Sequence, residues 1–99
     1  MALVLSVVKY DEIYAGDVCI KVQEVFKNGD AEVIVGTARF RVKESHTVEV
    51  IPGIHLSTGF NRMNPRQTKL VIKAPDDVVI LRGPKYYAVK ADAHIPARA

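Results

Sequence analysis

"QTKLVIKAPDDVVILRGPKYY", residues 67–87, holds the four signals on which the fold turns. Leu70 and Ile72 alternate with Lys69, Val71 and Lys73, the two-residue period of a strand with one buried face. Ala74-Pro75-Asp76 then ends pairing, because proline has no N–H to give to a ladder. A second β-branched run follows and closes on Arg82, which predicts a strand over 77–82. From Pro84 the period changes. Tyr86 with Val89, and Tyr87 with Ala91, share a face at helical spacing, and proline suits a first helical turn. The stretch therefore predicts strand, turn, strand and a short C-terminal helix over 83–95.

The rest of the chain extends the β pattern. Among 99 residues there are 15 valines and 8 isoleucines against 5 leucines, a bias that favours pleated surfaces. Strands are predicted over 3–8, 18–26, 31–36, 38–43, 46–51 and 68–74, with a brief one at 13–15. Asn28-Gly29 marks a hairpin, since both residues tolerate positive φ. Residues 55–67 show no clear period and read as a loop. No domain boundary and no tandem repeat is evident, so the expectation is one mainly β domain over 1–99.

The residues offer little catalytic chemistry. Cys19 is the lone cysteine and sits in a predicted strand, so neither a disulfide scaffold nor an activated thiol is indicated. His46, His55 and His94 are scattered, without metal-site spacing. No phosphate-binding glycine loop, dinucleotide fingerprint or nucleophile elbow is present. Asp11-Glu12 and Asp76-Asp77 read as turn residues. The expectation is a non-enzyme without cofactor or metal. The start lacks a basic leader, and no apolar run approaches a membrane span, so a cytoplasmic protein is expected. Charge is uneven: residues 1–60 are net −2 and residues 61–99 net +5. A basic half suits a polyanion such as RNA, although an ordinary solvated surface gives the same count.

The order Gln67, Leu70, Ile72, Ala74-Pro75, Val78, Ile80, Arg82 and Tyr86 resembles the carbon storage regulator (CsrA/RsmA) family of small RNA-binding translational regulators. "LVLS" (3–6) and "AGDVCIKV" (15–22) are similar to that family's first strand and its Gly-Asp turn into a later strand. Between the two blocks lies an insertion, residues 26–66. Within it, "NGDAEVIVGTARFRV" (28–42) also resembles the family hairpin, but lacks the Ala-Pro and the terminal arginine.

The resemblance implies an intertwined β-structure of short antiparallel strands. The insertion would add strands, and a short helix would end the chain. It implies a homodimer, in which the first strand of one subunit lies beside the last strand of the other and both bind unpaired GGA-like RNA loops. By that resemblance Arg82 is the principal RNA contact, supported by Ile80 and Leu81 and, from the first strand, by Leu5, Ser6 and Lys9. Arg62, Arg66, Lys69 and Lys73 are auxiliary phosphate contacts. The sequence departs from the family at Val7 and Val8, where arginines are usual, and at Gly83, where an acid is usual. A second reading follows from those valines: a protein-interaction module of the same fold, using the insertion to titrate or assemble with a partner.

Overall fold

The computed structural model describes residues 2–59 and 66–93. Nine strands and a helix follow one another: β1 (Ala2–Val8), β2 (Glu12–Ala15), β3 (Val18–Val25), β4 (Ala31–Val35), β5 (Ala38–Val42), β6 (Val48–Ile51), β7 (Ile54–Gly59), β8 (Gln67–Lys73), β9 (Ile80–Arg82) and α1 (Gly83–Ala93). They form two antiparallel sheets. One has the order β1-β8-β7-β6, the other β5-β4-β3-β2-β9. The mainly β class and the C-terminal helix expected from the residues are present.

Alternation explains why the sheets pack. In β4 Ala31, Val33 and Val35 are buried while Glu32 and Ile34 are not; in β8 Thr68, Leu70 and Ile72 are buried between exposed or half-buried neighbours. Val7, Ile13, Ile20, Val22, Val33, Val42, Leu56 and Leu70 are fully buried, and one core draws residues from both sheets. Each such side chain contributes about 1.5–3 kcal/mol on leaving water, which makes this shared core the main stabilising term. With Thr58, Thr68 is a buried polar residue of the sheets' inner faces. Its hydroxyl lies 2.6 Å from the Gly29 carbonyl and 3.1 Å from that of Gly59, tying β8 to the β3–β4 turn of the other sheet.

The chain changes sheet at Lys9-Tyr10-Asp11. Tyr10 adopts φ 75°, the sole positive φ outside glycine among the described residues. The corner is held by Tyr10 N–H to Val22 O at 2.7 Å, Val22 N–H to Asp11 O at 2.8 Å and Val8 N–H to the Asp11 carboxylate at 2.9 Å. At the Asn28-Gly29 hairpin, glycine takes φ 91° as the turn requires.

Three expectations change. Residues 55–59 are not loop: they lie in β7, paired with β8 from His55↔Lys73 to Gly59↔Lys69. The strand expected over 77–82 shortens to Ile80–Arg82, because Asp76-Asp77 form a turn closed by Val78 N–H to Pro75 O at 3.0 Å. Segment 26–66 adds strands, as expected, and adds them to both sheets. It supplies β4 and β5 to one sheet and β6 and β7 to the other, with Val33, Val42, Val50 and Leu56 in the core. The resemblance set the first strand beside the last; within this chain β1 lies instead on β8, and β9 on β2.

Candidate nucleic-acid interface

β9 carries Arg82 along the edge of one sheet, where it stands opposite Ile13 of β2. From there the guanidinium crosses to the other sheet. Its Nη2 donates to the carbonyl of Ser6 in β1 at 2.9 Å. Residues 76 positions apart are thus joined at the seam between the sheets. One N–H group is used, and the side chain is otherwise exposed, so most of the five donors of the planar fork point toward solvent.

Ser6 continues into a basic strip. On β8 its partner across the ladder is Lys69, and Lys69 in turn faces Gly59 of β7. Two residues along, Val4 faces Val71, which faces Ser57; then Ala2 faces Lys73, which faces His55. Period two puts all of these on the outer face. Val4 is 55% exposed, an apolar surface between two lysines. Beyond Lys73 lies a shallow depression of about 360 Å³ lined by Ala2, Gly53, His55, Lys73, Ala74 and Pro75.

Some basic side chains are paired with carboxylates and others are not. Arg39 pairs with Glu32 at 3.0 Å and Arg41 with Asp30 at 3.1 Å; Lys90 meets Asp17 at 2.9 Å. Arg82, Lys69 and Lys73 have no carboxylate partner among the described residues. Unneutralised cations on one face attract polyanions, whereas internally paired ones contribute little to that attraction.

The other residues picked from the sequence lie as follows. Leu5 and Ile80 are half-buried and pack against the core. Leu81 stands opposite Tyr14. Lys9 is engaged by Glu24 at 3.2 Å, and that hydrogen bond raises its pKa. Arg66 is exposed just before β8. Arg62, like His94, lies outside the described residues. Val7, where an arginine was expected, is fully buried opposite Thr68, so a cation there would have no water. Gly83 is buried against β2: a Cβ there would stand 3.3 Å from that of Glu12, which explains why no acid follows Arg82.

Sequence reasoning missed a tyrosine clamp that fixes α1. The Tyr14 and Tyr86 rings stack at 3.7 Å and 3°, with Tyr87 edge-on at 5.7 Å. Tyr14 and Tyr87 hydroxyls lie 2.8 Å apart, Tyr87 donates to Glu12 at 2.7 Å and Tyr86 to Asp17 at 3.1 Å. The Tyr87 hydrogen bond pushes the Tyr14 phenol well above the usual tyrosine range. The i, i+1 pair Tyr86-Tyr87 was legible; its partner Tyr14, 72 residues earlier, was not. Cys19, opposite Tyr14, is half-buried, and burial pushes its thiol pKa up, away from the reactive thiolate. No group of metal-ligating side chains forms among the described residues. Nor is any helix among them long and apolar enough to cross a membrane.

No family model, no curated protein and no solved structure matches this chain.

Proposed function

We propose that this chain is an RNA-binding regulator of the carbon storage regulator type, taking a single-stranded RNA loop along the outer face of β1 and β8 beside β9. The observation that carries the reading is the 2.9 Å contact from Arg82 to Ser6. It joins two of the residues that the resemblance singled out, one on the first strand and one on the last. Lys69 and Lys73 supply phosphate attraction beside them, and Val4 an apolar contact for an unpaired base. The free edges of the guanidinium can pair with guanine or phosphate. Backbone groups at the seam can read base edges that a loop leaves unstacked. The reading needs no catalytic step and no cofactor.

Fluorescence anisotropy with a GGA-loop RNA hairpin tests it. The protein binds, and Arg82→Ala weakens binding at least tenfold. The variant stays folded, because it loses one hydrogen bond worth about 0.5–1.5 kcal/mol at an exposed position. Lys69→Ala and Lys73→Ala each weaken binding to all sequences alike and reduce the slope of log K against log salt by about 0.7–1. Equal affinity of the native protein and Arg82→Ala, or binding by neither, overturns the proposal.

A further inference from the structure

The central pairs of the two sheets' ladders match, although β3–β4 is bulged between Val22 and Glu24 and β6–β7 between Glu49 and Ile51. Hairpin β2–β3 closes on Ala15↔Val18, and hairpin β6–β7 on Ile51↔Ile54, about 36 residues later. Ile20↔Val35 and Val22↔Val33 join β3 to β4; Leu56↔Ile72 and Thr58↔Leu70 join β7 to β8 at the same step. Val33↔Phe40 and Ala31↔Val42 join β4 to β5. The corresponding pairs, Leu70↔Leu5 and Thr68↔Val7, join β8 to β1. Burial follows the match: Ile20 with Leu56, Val22 with Thr58, Val33 with Leu70 and Val42 with Val7 are all buried, while Phe40 and Leu5 are both half-buried.

Residues 2–35 and 38–73 are thus the same four-strand unit built twice. Each unit lends its first strand to the other: β1 completes the sheet of β6-β7-β8, and β5 the sheet of β2-β3-β4. Apart from those bulges, the repeat breaks after its last strand. After β8 the chain continues into β9, which covers the edge of β2. After β4 it has only Gly36-Thr37 before β5 begins, and among the described residues no strand covers the edge of β6. The residue related to Ser6 is Arg41, and its guanidinium turns to Asp30 instead.

We propose that this chain is a complete strand-exchanged, two-fold assembly by itself: a monomer made of two copies of one unit, with a single Arg82–Ser6 seam. The exchange pairs both first strands inside the chain, β1 on β8 and β5 on β4, so no second chain is needed to complete either sheet. The one-site part rests on the function proposed above; the monomer part does not.

Two measurements on the full chain decide it. Light scattering on the eluting protein gives about the chain mass of 10.9 kDa at micromolar concentration. In a Cys19→Ser background, Val4→Cys with Val71→Cys, opposite each other on β1 and β8, oxidises to a disulfide within one chain, seen as a monomer band without reductant. A solution mass near twice the chain, or a disulfide that joins two chains, overturns the proposal. Titration with the RNA hairpin saturates at one RNA per chain; saturation at two per chain, or one per two chains, also overturns it. Absence of RNA binding removes the proposed function alone, since the mass and the disulfide decide the monomer directly.

Discussion

Arg82, Thr68 and Val7 each look different once the sheets are in place. Arg82 stood out in the sequence because it ends an apolar run; its partner is a main-chain oxygen 76 residues away, which no local pattern encodes. Thr68 sat unremarked in an alternating strand, yet it is fully buried and its hydroxyl serves the Gly29 carbonyl across the core. Thr68→Val keeps the shape and strands that carbonyl without a donor. Chemical denaturation will show a loss of about 1–3 kcal/mol, the cost of a buried unpaired polar group. Unchanged stability would mean that the Gly29 carbonyl finds another donor. Val7 stood out in the sequence only as a valine where the resemblance expects an arginine, and the absence of a cation there becomes understandable from its complete burial.

Among the elements, α1 depends most on a neighbour distant in sequence. It presents no strong apolar face, and short helices are marginal in water, so the tyrosine clamp must hold it. The groups that hold it shift in opposite directions. The hydrogen bond from Lys90, with that of Tyr86, holds the Asp17 carboxyl below the usual carboxylate range. That contribution is present above about pH 4, the ordinary value, and is lost as acid protonates the folded carboxylate. The Tyr14 phenol is raised by its hydrogen bond to Tyr87, and the Tyr86 phenol by burial. Their contribution is present below about pH 10 and is lost as pH rises through the raised values. Helical circular dichroism should therefore hold between about pH 5 and 9 and fall toward both extremes, with tyrosinate absorbance appearing late. Tyr86→Ala should lower the helical signal at neutral pH. A helix signal indifferent to pH and to that substitution would show that the clamp does not hold α1.

The whole molecule has one core although it has two repeated units. Leu56, Leu70 and Ile72 from one sheet and Ile13, Ile20 and Val33 from the other belong to the same cluster. Neither unit retains its own first strand, so neither can bury its inner face alone. Urea unfolding should then be a single transition, coincident by far-UV circular dichroism and by NMR amide signals of both units. Two separated transitions would show that the units are independent domains.

Much of the element list was already in the residues. Period-two alternation placed most strands, Asn28-Gly29 placed a hairpin, and the change of period at Pro84 placed the helix, because these depend on neighbours a few positions apart. The stretch 55–59 was misread because His55, Ser57 and Gly59 on its outer face do not look like strand residues. Pairing with β8 settles it as a strand. The repeat was hidden for a similar reason. The two copies conserve burial and register, while the side chains that satisfy them differ, as Val22 differs from Thr58 and Ala31 from Thr68. The sequence by itself determined a small β protein with a C-terminal helix and an arginine at the end of its last strand. Only the tertiary structure decided which strands pair, since ladder partners come from any distance along the chain. That pairing brings Arg82 to Ser6 and leaves Lys69 and Lys73 unneutralised on one face.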